Sequence, residues 1–311
     1  MKNEKSVVTI GTFDGVHKGH GFLIKKTVQA AKKSGAKSVV VALEKPVKNV
    51  KGLLTVFEEK IRHISSFGPD EIVALSVPSE ILSWPPEKFF DDFLIKNLKA
   101  REIVCGHDFA FGKNRKGGIR WLKNKAKKSG VKASVIKALK AASKEVSSSQ
   151  IRDLLEKGDI AKANKLLGRA YSFSGFPFRE AGIGKKLGFP TVNLEVEKGT
   201  LSRTSSLGTL SLGALSPCGK MLPKGVFASL ISDGKKTYPS VASIGNRPTF
   251  SRGKKIIPEV HILDFKGKWG NKKTEVALLK KIRDEKKFRN SQELRKNIEK
   301  DVCKAKKYFG L

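Results

Sequence analysis

Cysteine is scarce in this chain of 311 residues, with three copies at positions 105, 218 and 303. The number is odd and the spacings are wide, whereas a disulfide framework needs an even set and a zinc finger needs closely spaced pairs. The sequence therefore excludes both kinds of cysteine scaffold. We expect a protein of a reducing compartment, which indicates a cytoplasmic location.

Long apolar runs are also missing. No stretch approaches the about 18 consecutive apolar residues of a membrane-spanning helix, and the apolar run in the first residues, MKNEKSVVTIG, is too short for a secretory signal. We expect no membrane span and no membrane partner.

Acidic residues are few, at 29 against 63 lysines and arginines, which gives a formal net charge of +34. Such an excess attracts polyanions: nucleic acid, an acidic membrane surface or phosphorylated small molecules. The basic residues are spread along the chain, so a generally lysine-rich proteome explains the charge equally well. No basic stripe interleaved with aromatic residues is present, and we expect no nucleic-acid partner.

The first half of the chain alternates buried strands with helical patterns. Continuous apolar strands separated by helices predict a parallel sheet with helices on both faces, an α/β arrangement. Thr55 and Glu58 have the spacing of a capping box at the start of one helix. The expected strands are residues 6–11, 37–43, 71–77, 101–106 and 132–137. A helix is expected over residues 86–98, before the fourth strand.

The second half changes character near LLGRAY (166–171), which places a domain boundary between 1–168 and 169–311. Six β-rich segments then follow one another with only turn residues between them, as in an antiparallel sandwich or barrel. A closing helix is expected from Ser291 onward, and the Ser/Gly-rich stretch 195–220 is expected to be a surface insertion.

The stretch TIGTFDGVHKGHG (9–21) places glycines and two histidines between the first strand and the first helix. Glycines let backbone approach a phosphate, and a helix N-terminus offers free N–H groups. His17 and His20 lie three residues apart at this junction, so both can donate to phosphate oxygens. The sequence predicts a nucleotide phosphate site here, and a tight turn with two exposed histidines is the alternative.

The H-x-G-H element resembles that of nucleotidyltransferases, and further motifs extend the resemblance along nearly the whole chain. Together they resemble the bacterial bifunctional riboflavin kinase/FAD synthetases. The family implies a Rossmann-like nucleotidyltransferase domain followed by a six-stranded flavokinase barrel. The motifs are GTFDGVHKGH, LTVFEEK (54–60), GHDFAFGKNRKGG (106–118), VSSSQIRDLLEKGDIAKANKLLGRAY (146–171), GKKLGFPTVNL (184–194), IGNRPTF (244–250) and PEVHILDF (258–265).

In the first domain, the resemblance implies that His17 and His20 are catalytic and that the glycine-rich turn binds ATP. Asp108 matches a position that faces the flavin phosphate or the nucleotide. Ser148, Ser149 and Arg152 match a loop that leads to a phosphate-binding arginine, although a plain helix N-cap is the alternative for the serines. The turn residues implied in ATP binding are Gly11, Thr12, Phe13, Asp14 and Gly15.

In the second domain, PTVNL matches the family's P-T-A-N signature with valine in place of alanine. The resemblance implies that Thr191 and Asn193 hold Mg²⁺ and ATP with hard oxygen donors. It makes Glu259 the general base for the riboflavin hydroxyl. Gly184, Lys185 and Gly188 match a glycine-rich flap over the ATP phosphates, with lysine where the family often has arginine.

The resemblance implies two reactions: riboflavin and ATP give FMN, and FMN and a second ATP give FAD and pyrophosphate, with Mg²⁺ in both. One departure matters, because LEKPVKN (43–49) stands where the family has an F-x-P-H-P-like stretch, and this change could weaken adenylylation. A kinase that has kept one step and a basic nucleic-acid-binding protein are the alternatives. The sequence leaves a homo-oligomer open.

Overall fold

The computed structural model describes residues 5–48, 50–76, 80–141, 144–178, 184, 187–196, 219–246 and 256–311. By their contacts these residues form two compact units, one ending at Ser148 and the other beginning at Ser149. Among them, no helix is both long and apolar enough to cross a bilayer. The expected insertion at 195–220 lies almost entirely outside the described residues.

The first unit is built on a five-stranded sheet in the order β3-β2-β1-β4-β7, and every strand pair in it is parallel. Its elements are β1 (Ser6–Gly11), α1 (Lys18–Ser34), β2 (Lys37–Leu43), α2 (Phe57–Ser65), β3 (Glu71–Leu75), α3 (Glu80–Ser83), α4 (Pro86–Lys88), a π-helical segment (Phe89–Asn97), β4 (Ala100–Gly106), β5 (Ala110–Phe111), a 3-10 turn (Lys113–Arg115), β6 (Gly117–Gly118), α5 (Ile119–Lys128), β7 (Lys132–Ile136), β8 (Lys140–Ala141) and β9 (Lys144–Glu145).

Apolar clusters cover both faces of this sheet, which explains why the central strands are apolar throughout. One cluster joins Val39 and Ile103 to the π-helical segment, and another joins Val40 to Ile24 of α1 and Ile64 of α2. The predicted α/β class is thus confirmed.

Two local predictions differ from the structure. The region expected as one helix over 86–98 passes from α4 into π-helical hydrogen bonding, in which the Leu98 N–H donates to Phe93 O at 3.0 Å. This wider winding carries four bulky side chains into the core: Phe89, Phe90, Phe93 and Leu94. In addition, α5 lies between β4 and β7, where the predictions from sequence include no element; it buries only Leu122 and Ala126.

The second unit is a closed six-stranded barrel in the order β10-β11-β14-β13-β12-β15, with antiparallel neighbours. Two short helices precede it and a long helix follows it. The elements are α6 (Ser148–Glu156), α7 (Ile160–Leu167), β10 (Tyr171–Phe178), β11 (Thr191–Val196), β12 (Gly225–Ser232), β13 (Thr237–Asn246), β14 (Ile256–Ile262), β15 (Thr274–Arg283) and α8 (Ser291–Phe309). The barrel and the closing helix from Ser291 confirm the predictions.

Helix α7 packs on the barrel through Asn164, whose side chain bonds two backbone groups. Its amide nitrogen donates to Leu278 O at 2.8 Å, and its oxygen accepts from the Tyr171 N–H at 2.7 Å. Contacts therefore group α7 with the barrel, while the functional boundary near residue 168 stays a prediction.

Candidate functional site

The glycine-rich turn follows the carboxyl end of β1, the central strand of the parallel sheet. Its backbone is unusual, because Phe13 and Val16 have positive φ angles of 49° and 37°, as does Gly15 at 85°. A β-branched residue in this region is strained, and such strain persists only where the surroundings enforce it. Gly11 is also constrained, since a Cβ there would come within 3.1 Å of the Phe13 ring.

The two histidines of this turn lie face to face, with ring centroids 3.6 Å apart and an interplanar angle of 16°. His17 is the N-cap of α1, and its Nδ1 accepts from the His20 N–H at 3.3 Å. Because Nδ1 accepts, the proton of a neutral His17 ring belongs on Nε2. Gly19 permits this packing, since a Cβ there would meet the His17 ring at 3.1 Å. The structure thus brings the predicted pair together at a helix N-terminus.

Asp14 joins the turn to the segment before α2. Its carboxylate is buried and accepts from the backbone N–H of Leu54 at 3.0 Å and of Thr55 at 3.1 Å. The Thr55 hydroxyl oxygen in turn accepts from the Gly15 N–H at 3.0 Å. The capping box expected from Thr55 and Glu58 is therefore wrong.

Helix α2 instead has Val56 as its N-cap, and Glu59 Oε2 accepts from the Val56 N–H at 3.3 Å. The cap lies one residue later than expected because the Thr55 hydroxyl is used by the turn. Thr55 is thus a residue of the site region that the sequence assigned to another purpose.

The remaining residues predicted for the first site lie on different elements. Asp108 is exposed, two residues beyond β4, and its carbonyl accepts from Arg115 at 3.2 Å. Since β4 is a parallel neighbour of β1, Asp108 lies at the same edge of the sheet as the turn. The Ser148 hydroxyl donates to Asp14 O at 2.8 Å. Ser149 and Arg152 lie on α6 in the second unit. Thr12, in the glycine-rich turn of the first unit, is half-buried.

The predicted residues of the second site meet through strand register. In the β11–β14 pair, Asn193 lies opposite Glu259 and Thr191 lies opposite His261. Directly opposed residues of antiparallel strands have Cβ atoms about 4.5–5.5 Å apart, and residues two apart share a face. The hydroxyl, the amide and the carboxylate therefore occupy one patch of the barrel wall.

The segment before β11 packs against this patch. His261 Nδ1 donates to Pro190 O at 2.9 Å, and the Phe189 ring meets the His261 ring edge to face at 5.5 Å. Gly184 O accepts from the Phe189 N–H at 2.8 Å, and a Cβ on Gly184 would come within 2.5 Å of Phe189 O. Gly188 has a φ of 90°. Lys185 lies outside the described residues.

A cavity of about 600 Å³ lies in the second unit beside Phe189 and the C-terminal part of α8. Its walls include Val302 and Cys303 together with Lys306 and Lys307. The volume falls in the range of roughly 300–1,000 Å³ that is usual for small-molecule sites.

Another cavity, of about 530 Å³, lies at the opposite end of the parallel sheet from the histidines. Lys33 and Ser34 in its wall belong to the last turn of α1, and Arg101 donates to Ser34 O at 3.0 Å. Cations at helix C-termini stabilise the helix dipole, so these side chains have a structural explanation.

No group of three or more histidine, cysteine or acidic side chains within the described ranges could hold a metal ion. Thr191 and Asn193, the residues predicted to hold a metal, would offer it a hydroxyl and an amide oxygen, with the carboxylate of Glu259 opposite Asn193 and the other positions completed by a ligand. Hydroxyl, amide and carboxylate oxygens are the donors that Mg²⁺ prefers, and Mg²⁺ is commonly completed by substrate phosphates. The donor set fits.

Two family models match successive parts of the chain. The family model described as FAD synthetase matches residues 1–150, and that described as riboflavin kinase matches residues 167–309. Bifunctional riboflavin kinase/FMN adenylyltransferases are similar over nearly the full chain. The one from Buchnera aphidicola of Schizaphis graminum is 35% identical over 99% of this chain and 96% of its own.

The corresponding Escherichia coli K12 protein is 29% identical, over 99% of this chain and 94% of its own. Among solved structures, one described as a macrolide-efflux protein from Streptococcus pneumoniae aligns with a TM-score of 0.81 at 25% identity. It covers 97% of this chain and 93% of its own. Both units of the fold are thus found together in one known chain.

Proposed function

The chain belongs to the family of bifunctional riboflavin kinase/FMN adenylyltransferases and makes both FMN and FAD; we propose that its parallel-sheet unit carries out adenylylation through His17 and His20 and its barrel carries out phosphorylation through Glu259. Matches to both family models do not favour a single-step kinase or a nucleic-acid-binding protein. Two observations support the assignment: His17 stacks on His20 in the first unit, and Asn193 lies opposite Glu259 in the barrel.

In the first unit, the FMN phosphate attacks the α-phosphate of ATP and pyrophosphate leaves. The stacked histidines lie at the N-terminus of the 17-residue helix α1, where the helix dipole favours negative charge. Their ring N–H groups stabilise the charge that develops on the α-phosphate. Gly11, Thr12 and Gly15 supply the backbone that surrounds the triphosphate.

Asp14 and Ser148 act in this site by holding the turn rather than by touching the nucleotide. The Asp14 carboxylate is occupied by backbone N–H groups of the 54–55 segment, and Ser148 donates to the Asp14 carbonyl. Asp108 at the same sheet edge faces the substrates. For Ser149 and Arg152, the family's motif is the support for a phosphate-binding role.

In the barrel, Glu259 takes the proton from the riboflavin 5′-hydroxyl as that oxygen attacks the γ-phosphate of ATP. The base must lie within hydrogen-bond reach of the hydroxyl. Thr191 and Asn193 on the adjacent strand hold Mg²⁺ and the phosphates, and the cation neutralises phosphate charge when bound. Gly184, Lys185 and Gly188 form the flap over the phosphates, where Lys185 attracts phosphate without the two-pronged geometry of arginine.

The cavity beside Phe189 is the proposed seat of the riboflavin ring. Phe189 contacts His261, which shares the patch of the barrel wall with Glu259. The volume of about 600 Å³ and the apolar side chain of Val302 suit an aromatic ligand.

We propose a cytoplasmic enzyme, because ATP and riboflavin are cellular metabolites and the cysteines are odd in number and widely spaced. We expect neither nucleic acid nor membrane among its partners, and a homo-oligomer stays open. The charge of +34 suits substrates and products that all carry phosphate except riboflavin.

The test measures each half-reaction separately in two variants. Glu259→Gln should lower FMN formation by about 10²–10⁴-fold, which is the usual contribution of a general base, and should leave FAD formation from supplied FMN unchanged. His20→Ala should do the reverse, with a loss on the order of 10²–10³-fold. Products are separated by chromatography of reactions with Mg-ATP.

Matched controls are Glu195→Gln on β11 and His63→Ala on α2, which should leave both reactions near the parent rate. Circular dichroism of every variant should match the parent. Equal loss of both reactions in a folded Glu259→Gln protein would show that the residue assignment is wrong.

A further inference from the structure

Lys60 on α2 is a buried lysine that the proposed chemistry does not use. Its side chain is 1% exposed, and its ammonium donates to Leu43 O at 2.6 Å and to Glu44 O at 3.0 Å. The Phe57 ring lies 5.9 Å from the nitrogen. Lysine is almost never buried to this degree without a partner, and here the partners are two backbone carbonyls.

These carbonyls mark the end of β2. The Glu44 N–H still donates to Leu75 O, as in the sheet, and after it the chain leaves the sheet toward the segment that precedes α2. The ammonium therefore ties α2 to the point where the backbone turns away at the carboxyl edge. Hydrogen bonds from a charged donor are stronger than those between neutral groups, so this junction is firmly held.

The charged groups that face Lys60 connect it to the glycine-rich turn. Asp14 from the turn and Glu44 from the end of β2 both raise its pKa, while burial lowers it more strongly, to about 8. On its own helix, Glu59 accepts from the Val56 N–H. Asp14 accepts from the N–H groups of Leu54 and Thr55, and Lys60 donates to the carbonyls of Leu43 and Glu44. Two buried charges of opposite sign thus hold both ends of the connection from β2 to α2.

Burial of a lone ammonium is costly, and an apolar side chain of similar length would fill the same space without that cost. A lysine at this place thus indicates a requirement for a charged donor rather than for packing alone.

We propose that Lys60 is a positioning residue of the adenylylation reaction, whose charged ammonium holds the end of β2 at Leu43 and Glu44 in the arrangement that the glycine-rich turn needs. The proposal rests on the assignment of adenylylation to the first unit. Lys60 touches no substrate in this role, and its effect passes through Asp14 and the two carbonyls.

The consequence is an alkaline limit on one reaction only. Above about pH 8 the ammonium loses its proton, the carbonyls lose a charged donor and Asp14 loses its countercharge. FAD formation should fall through this range. The pH dependence of FMN formation in the barrel should be the same in the parent protein and in Lys60 variants.

Unfolding does not explain such a limit, as the sign of the linkage shows. The folded-state pKa is lowered from 10.5 to about 8, so between these values the unfolded chain binds more protons at this group. Stability therefore rises with pH across that window. As the pH rises above about 8, the rate of FAD formation is expected to fall while the contribution of Lys60 to folding stability rises.

The experiment measures kcat and KM for FAD formation from FMN and Mg-ATP between pH 6.5 and about 9.5, a range chosen to bracket the ordinary and lowered lysine values. Lys60→Met should lower kcat on the order of 10²-fold, as a small misplacement of reacting groups does, and should remove the alkaline limit near pH 8. Lys60→Arg keeps its charge throughout and should also lack that limit while retaining more activity than Lys60→Met. Lys127→Met, an exposed lysine on α5, is the matched control and should behave as the parent.

The outcomes separate this proposal from the assignment beneath it. If His20→Ala leaves FAD formation intact, the assignment of the first unit fails. If His20→Ala abolishes FAD formation but folded Lys60→Met keeps the parent kcat, only the positioning role is overturned. The positioning role is also overturned if kcat of the parent protein for FAD formation shows no alkaline limit near pH 8, or if that limit persists in Lys60→Met. The measurement on the parent protein does not depend on the folding of any variant.

Discussion

Asp14→Asn is the substitution that best tests how the glycine-rich turn is held. The carboxylate accepts the N–H groups of Leu54 and Thr55 through Oδ1 and the Leu54 N–H also through Oδ2, at 3.3 Å. An asparagine of the same shape places either a donor or an uncharged acceptor against each N–H. It also removes the countercharge of Lys60.

The magnitude follows from these contacts. Hydrogen bonds to a charged group contribute about 1.5–3 kcal/mol each, and a neutral acceptor contributes about half of that. Two bonds weakened in this way give about 1.5–3 kcal/mol. Loss of the countercharge of a buried lysine adds to this, so the first unit should lose about 3 kcal/mol of unfolding free energy.

Tryptophan fluorescence can follow the first unit alone. Of the three tryptophans, Trp84 and Trp121 lie in the first unit and Trp269 in the barrel, so urea titrations are made in a Trp269→Phe background. Asp92→Asn, which alters an exposed ion pair with Lys96, is the control and should leave the midpoint unchanged.

A double-mutant cycle gives the sharper result. If the two charges depend on each other, Asp14→Asn and Lys60→Met together should cost less than the sum of the single changes, with a coupling of about 1–3 kcal/mol. Additive costs, or an Asp14→Asn midpoint equal to that of the parent, would refute the reasoning.

Three further outcomes are expected. Asn164→Ala removes both side-chain bonds between α7 and the barrel and should lower the unfolding free energy of the second unit by about 2 kcal/mol in urea titrations; an unchanged midpoint would contradict this. Asp301→Asn breaks the two-pronged contact with Arg283 that joins α8 to β15, so KM for riboflavin should rise while FAD formation from supplied FMN stays constant. Burial raises the pKa of the Cys105 thiol to about 11, whereas Cys303 is exposed, so iodoacetamide at pH 8 should label Cys303 before Cys105, as peptide mass mapping can check.

Strands were the part of the fold most accessible from sequence. β1 and β2 have the predicted bounds of 6–11 and 37–43, because a strand buried on both faces is apolar throughout and ends where polar residues begin. Helix α5 was missed for the converse reason. It buries only Leu122 and Ala126 among basic residues, too few for a recognisable helical period.

The same distinction applies to the sites. His17 and His20 are three residues apart, so their meeting follows from local geometry that a sequence displays. The neighbourhood of Asn193 and Glu259 depends on the β11–β14 register, which pattern alone does not determine. The contact of Lys60 with Leu43 O depends on how α2 packs on the sheet, and only the motif LTVFEEK marked this region in advance.

The departure at residues 43–49 now has a physical interpretation. Leu43 and Glu44 take part in the junction through their carbonyl oxygens, which every residue type supplies. The side chains of this stretch can therefore differ from the family pattern while Lys60 and Asp14 still hold the same backbone. The support of the glycine-rich turn uses main-chain groups of this stretch together with Lys60 and Asp14, which lie outside it, and the Glu44 carboxylate adds a charge that favours the ammonium.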